Sequence, residues 1–225
     1  MRATAHAILN NKTITDGPIL EAGCGNCTFL NELSEKHSLA TKIGVDINTQ
    51  ALEHGKNVVN IHGTLVQGDF HNLPFVENSL ALSIGLDAFD QTKANLKTAL
   101  SESFRTLVKD GLLLIRVSAH PWLLGQHDQS FGTGRRYTKN EICSSLTKAG
   151  FQIERFTYAN TIMLLPAIIV RIAINLRIAS VKNQFSTPNI LNILFTKILQ
   201  VEALLLQLTS LPTGLSIYVL ARKPK

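Results

Sequence analysis

Short apolar runs alternate with amphipathic stripes along the first two thirds of this chain. The runs at 17–23 (GPILEAG), 41–47 (TKIGVDI), 63–70 (GTLVQGDF), 78–87 (NSLALSIGLD), 112–119 (LLLIRVSA) and 151–159 (FQIERFTYA) read as strands, with a last one at 214–223. Between them, 27–37 places Phe29, Leu30 and Leu33 on one helical face. Leu96, Leu100, Phe104 and Leu107 recur at helical spacing through 92–111. Thr138 and Glu141 form a capping-box pattern that opens a helix ending at Gly150. Strands alternating with helices predict an α/β fold: a parallel sheet covered on both faces, with ligands at the carboxyl ends of its strands.

The pattern changes after residue 160. Two long apolar helices are predicted at 161–180 and 189–210, separated by VKNQFSTP. A membrane-spanning helix needs about 20 largely uncharged residues. Arg171 and Arg177 interrupt the first segment, and Lys197 and Glu202 the second. The expected arrangement is therefore a helical hairpin, either capping the active site or lying at a membrane surface with basic residues toward anionic headgroups. This divides the chain into a domain of 1–160 with 213–225, and an apolar helical insertion at 161–212.

The 225 residues are enough for one α/β domain with an elaboration. The net charge of +6 suits anionic partners without choosing among them. There is no dense basic run, and the apolar insertion offers no basic groove with interleaved aromatics, which argues against nucleic acid. The amino-terminal stretch MRATAHAILN has too short an apolar run for a signal peptide. With three cysteines, an odd number, this points to a reducing, cytoplasmic setting.

Two of those cysteines, Cys24 and Cys27, lie in LEAGCGNC, where the first strand turns into the first helix. A C-x-x-C pair at a helix start favours thiolate chemistry. A structural zinc site needs about four ligands, however, and only Cys143 remains. The better reading is a ligand turn in which Gly23 and Gly25 let the backbone approach its ligand and the cysteines fill small positions. A dinucleotide fingerprint would need glycine at position 28, where Thr28 stands. Glu21 precedes the first glycine by two residues, and Asp46 and Asp69 follow at the next two strand ends.

In this order, ILEAGCGNC, IGVDIN, GDFHNLPF, LSIGLDAFD, ESFRTLVKDGLLLIRV and LTKAGF resemble the class I S-adenosylmethionine-dependent methyltransferases, in particular the type 11 group, over about 17–159. The resemblance implies a Rossmann-like seven-stranded sheet whose last strand is antiparallel, here with a helical insertion before it. It implies S-adenosylmethionine as cofactor and no metal. By the same resemblance, Glu21, Gly23, Cys24 and Gly25 hold the methionine part, Asp46 the ribose hydroxyls and Ile47 the adenine face. Asp69 accepts from the adenine amino group beside Phe70, and Ile84 and Gly85 floor the site next to the sulfonium. A carboxylate suits a vicinal diol. Two departures stand out: Cys27 replaces the third glycine, and Lys109-Asp110-Gly111 replaces a proline and two glycines.

An already activated methyl group leaves the protein to align an acceptor, exclude water and remove a proton. The stretch 118–138, SAHPWLLGQHDQSFGTGRRYT, carries the groups for this. Its length and its density of His, Asp, Arg and Tyr mark it as functional. His127 is expected to take the proton, oriented by Asp128. Arg135 and Arg136 are expected to clamp an acceptor phosphate or carboxylate. Tyr137 offers a hydroxyl or a stacking face, Trp122 packing or a lid, and His120 a turn. The expected reaction is O-methylation of a hydrophobic or lipid-linked small molecule, a glycan-related acceptor being one form of it. The alternatives are a peptide or other natural product as acceptor, and a non-catalytic cofactor-binding subunit at a membrane. Peripheral contact with the inner membrane face goes with the surface-hairpin reading.

Overall fold

The computed structural model describes residues 2–10, 12–36, 40–58, 63–176 and 189–225. At its centre is a seven-stranded sheet of order β3-β2-β1-β4-β5-β7-β6. β1 (Ile19–Ala22), β2 (Lys42–Asp46), β3 (Gly63–Gln67), β4 (Leu80–Leu86) and β5 (Leu107–Ser118) pair in parallel. β7 (Ser216–Arg222) runs antiparallel between β5 and β6 (Gln152–Ala159). This is the Rossmann-like sheet that the motif order implied. β1 is buried along its whole length and β4 along nearly all of it, as parallel strands covered on both faces must be.

Alternate residues of β5 feed two cores. Leu113, Ile115 and Val117 pack with Leu100 and Leu146; Leu112 and Leu114 pack with Phe29, Leu33 and Tyr218 on the opposite face. β2 and β3 lie on one side of β1, and β4 and β5 on the other. The chain thus reverses direction between β1 and β4, which opens a crevice at their carboxyl ends.

Several elements differ from the sequence pattern. The helix expected over 92–111 is α4 (Leu96–Thr106), since Leu107 already pairs with Leu80 as strand. The distant Lys223 helps to end it: its Nζ donates to the carbonyls of Phe104 at 2.7 Å and Leu107 at 2.8 Å. Asp110 then turns the chain at φ +63°. α1 (Arg2–Leu9) and α3 (Thr49–Val58) were not foreseen; α1 packs against the second insertion helix. The stretch after β5 contains a short turn at Pro121–Leu123 and helix α5 (Gln126–Ser130). α2 (Thr28–Lys36) and α6 (Lys139–Lys148) lie where expected, α6 behind the Thr138–Glu141 capping box. His37 of the expected first helix lies outside the described residues.

Two helices separate β6 from β7: α7 (Thr161–Asn175) and α8 (Asn189–Leu208). Glu202, which interrupts the apolar pattern of α8, is buried, and its carboxylate accepts from Asn160 N–H and from Thr161 N–H, the latter at 2.8 Å. It caps the orphan amides at the start of α7. Arg155 donates to the carbonyls of Leu206 and Thr209 near the end of α8. Among the described residues no helix is long and apolar enough to cross a membrane. Arg177 and VKNQFSTP lie outside the described residues.

Candidate active site

The turn after β1 sets the geometry of the crevice. Gly23 stands at φ +72°, and a Cβ there would fall 2.6 Å from the Cβ of Ala88 beyond β4. Gly25, at φ +52°, donates its N–H to Asp46 Oδ2 at 2.8 Å. Asp46 Oδ1 accepts from Asn48 N–H at 2.8 Å. Each carboxylate oxygen keeps a further lone pair, so the group can still accept from a diol. Beside it, Ile47 is 71% exposed, an apolar wall open to a ligand. Cys27 takes φ +60°, the left-handed conformation that suits the glycine it replaces. Its Sγ lies 3.5 Å from that of Cys24, and both thiols are buried. No group of residues suited to a metal occurs among the described residues.

Glu21 plays a different part from the one expected. It is buried, and its Oε2 accepts from Leu30 N–H of α2 at 3.1 Å. Burial, reinforced by the nearby Cys27 thiol, pushes its pKa up to about 8. At neutral pH it is mostly protonated and ties the turn to α2 from beneath, rather than offering a charge to the ligand. Asp69 is half exposed, and its Oδ1 accepts from the backbone N–H of His71 at 2.9 Å and from its ring Nδ1 at 2.6 Å. His71 Nε2 accepts from Asn95 N–H at 2.8 Å. Those partners place the ring proton on Nδ1, so His71 orients Asp69. The sequence reading missed His71, although Asp-x-His at a strand end was its signal. Phe70 packs on Phe89, whose ring also lies against Gly85. Ile84 is fully enclosed with Phe29, Leu33 and Tyr218 in the core, so its side chain presents no floor to a ligand.

Beyond the ends of β4 and β5 lies a cavity of about 770 Å³. Its floor includes Asp87, Arg116 and Ser118; α5 supplies His127 and Asp128; Met163, Pro166, Ala167, Val170 and Ile174 of α7 form an apolar wall. Arg116 is ion-paired with Asp87 and donates to Ser216 Oγ at 2.6 Å. Burial lowers the Arg116 pKa from its ordinary value. Asp90, also missed, is buried below this region, where burial raises its pKa. Its Oδ2 accepts from Ser118 N–H at 2.7 Å, and its carbonyl accepts from Gly134 and Arg135.

The residues expected to form the acceptor site divide. His127 lines the cavity and lies against Phe131, their ring centroids 4.8 Å apart. The Asp128 carboxylate is engaged by other groups. It accepts from Arg136 Nη2 at 2.6 Å and from Gly125 N–H at 2.8 Å, because neighbouring residues on a helix project about 100° apart. Arg136 also donates to Ala119 O at 2.9 Å, so its guanidinium braces the loop. Arg135 is mostly exposed and pairs with Glu141 at 2.9 Å, away from any clamp. Tyr137 is buried, and its hydroxyl donates to Phe89 O at 3.4 Å. Trp122 is 57% exposed and tilted against His120.

Residues 19–111 match the family model for the methyltransferase domain. No match was found among curated protein sequences. Among solved structures, the chain is similar to a putative methyltransferase from Bacillus halodurans, with 16% identity and a TM-score of 0.64 over 99% of each chain. It is also similar to a chain in the complex between the Haloferax volcanii Trm112 methyltransferase activator and a putative methyltransferase, at 17% identity and a TM-score of 0.67, covering 99% of this chain and 90% of that one. A third is geranyl diphosphate C-methyltransferase from Streptomyces coelicolor, bound to Mg2+, geranyl diphosphate and S-adenosyl-L-homocysteine, at 14% identity and a TM-score of 0.65, covering 99% of this chain and 79% of that one. Residues 19–111 thus carry a methyltransferase domain, set in a sheet of the Rossmann-like fold that these solved methyltransferases share. S-adenosylmethionine is the cofactor that the motif order implies for such a domain.

Proposed function

We propose that this methyltransferase acts on an oxygen of a hydrophobic or lipid-linked small molecule seated in the cavity beside α7. The observation that carries this is the cavity itself: it adjoins the ends of β4 and β5 and is walled by apolar side chains of the insertion. Pockets of this size and lining hold small molecules. Bound S-adenosylmethionine supplies an electrophilic methyl group. Asp46 accepts from the ribose hydroxyls, Asp69 from the adenine amino group, and Ile47 and Phe70 flank the base. The backbone of Gly23, Cys24 and Gly25 faces the methionine part, and Gly85 keeps the floor low. On the acceptor side α7 excludes water, and His127 takes the proton of the acceptor hydroxyl. Residues 161–212 then serve as the cap of the acceptor site.

Incubation with methyl-labelled cofactor and fractionated host extract tests the reading; label is expected in a lipid or lipid-linked sugar fraction. Label only in peptides overturns the small-molecule acceptor. With the acceptor known, His127→Ala is expected to lower kcat about 100-fold at unchanged cofactor affinity. Unchanged turnover removes His127 as the base.

A peripheral membrane contact rests on a separate observation. Leu165, Ile169 and Ile172 of α7 and Val201, Leu204 and Leu208 of α8 are exposed at helical spacing. From Arg155 to Lys225 the sole acidic residue is Glu202, which is buried as a helix cap. An apolar stripe with only basic charge around it suits an anionic bilayer surface. Flotation with phosphatidylglycerol vesicles but not phosphatidylcholine vesicles is expected; no flotation with either rejects the contact.

A further inference from the structure

The charges around the acceptor cavity do not cancel. Its wall carries three guanidinium groups, Arg116, Arg136 and Arg171, against two carboxylates, Asp87 and Asp128. Arg116 is paired with Asp87, and Arg136 with Asp128. Arg171 is left over. Its Nη2 donates to Leu124 O at 2.8 Å, its Nη1 lies against Gly125, and it meets no carboxylate among the described residues. A guanidinium beside an apolar wall of Met163, Pro166 and Val170, with one donor on Leu124 O, has further donors to offer an anion whose body lies on that wall.

The position of Arg171 adds a direction. α7 begins at Thr161, next to Asn160, whose Nδ2 donates to Ser216 Oγ at 2.9 Å; the same Ser216 accepts from Arg116 at the cavity floor. Arg171 comes ten residues after Thr161, so it stands about 15 Å farther along the helix. The neutral Asp87–Arg116 pair marks the end nearest β4, and the unpaired cation marks the opposite end. Between them run Met163, Pro166, Ala167 and Val170.

We propose that the methyl acceptor is an amphiphilic anion: a carboxylate or phosphate monoester held by Arg171, an apolar body along α7, and the methylated atom at the end nearest β4. This rests on the methyltransferase reading of the site and names its substrate class. It also reassigns the anion-binding role from Arg135 and Arg136, which the structure commits to Glu141 and Asp128, to a residue of the insertion.

The test uses the full chain and four probes with one twelve-carbon tail, each below its micellar concentration: dodecanoate, dodecyl phosphate, dodecanol and dodecyltrimethylammonium. Trp122, the sole tryptophan, precedes Leu123 of the cavity wall and reports binding by its fluorescence. Dodecanoate or dodecyl phosphate is expected to bind at least ten-fold more tightly than dodecanol, with the ammonium weakest; which anion is preferred distinguishes carboxylate from phosphate. Arg171→Gln is expected to abolish the preference while leaving dodecanol affinity unchanged, and Arg171→Lys to restore most of it. Equal binding of anion and alcohol, a preference that survives in Arg171→Gln, or no saturable binding of any probe overturns the proposal. S-adenosylhomocysteine titrated calorimetrically into the wild type tests the underlying site separately: no heat of binding there defeats the cofactor reading, whatever the amphiphiles do.

Discussion

On the cofactor side of the sheet edge, Asp46 holds Gly25 and Asn48, and Asp69 holds His71 two residues on. On the acceptor side, Glu202 caps Thr161 from 41 residues away, and Arg171 reaches back 47 residues to Leu124. The first region is built from turns between adjacent strands. The second is assembled from segments that meet only once the sheet has formed. A cofactor crevice made of backbone conformation and strand-end carboxylates can stay constant while helices hung on the other end of the sheet reshape the acceptor cavity. The two sides should therefore fail separately when mutated.

The most severe break is expected from Arg136→Ala. It strands Asp128, whose side chain is 5% exposed, as an uncompensated buried charge, a change that costs about 3–5 kcal/mol. Urea unfolding reads the loss, and S-adenosylhomocysteine affinity should change less than two-fold in the folded variant; a parallel loss of affinity would join the two regions. Asp46→Ala makes the converse break. On the proposed reading, losing a carboxylate that accepts two ligand hydrogen bonds is worth about 3 kcal/mol, or roughly 100-fold in cofactor affinity by calorimetry. The Trp122 response to dodecanoate should stay as it is.

Glu21 gives a smaller, pH-dependent effect confined to the cofactor turn. Its pKa in the fold, about 8, lies above the ordinary 4.5. The folded chain therefore binds a proton that the unfolded chain releases, and this contribution to stability is full below pH 4.5 and is lost as pH rises through 8. Between pH 6 and 8 the wild type should lose about 2 kcal/mol of unfolding free energy from this source. Glu21→Gln, which keeps an acceptor for Leu30 N–H, should flatten the profile; equal slopes in both proteins would remove Glu21 from the account. The smallest effect is expected from Arg135→Ala. Its pair with Glu141 is solvent-exposed, so the change in stability should stay under about 0.5 kcal/mol, in sharp contrast with its neighbour Arg136.

How much of this could be read in advance follows the same division. The glycine turn, the two strand-end aspartates and the Thr138 capping box were legible because each depends on a few consecutive residues and a fixed backbone conformation. Cys27 was seen to stand where a glycine belongs, and its left-handed φ came from the structure. The acceptor side misled in a consistent way. Asp128, Arg135, Arg136 and Tyr137 have the right chemistry for a site, but their partners, Gly125, Glu141, Ala119 and Phe89, are set by how the loop folds on itself and onto the sheet. His71 was overlooked because its role needs Asn95, the cap of α4, on its far side.

The sequence by itself determined the succession of strands and helices, the glycine turn after β1 and the acids at the strand ends. Period-two and helical spacing, glycine at positive φ and acids at strand ends are local properties of the chain. Tertiary structure alone decided that Lys223 helps to end α4, that Glu202 turns inward as a cap, and that Arg171 meets no carboxylate among the described residues. Those outcomes depend on which groups become neighbours once the sheet has formed and on how burial penalises a charge left among them.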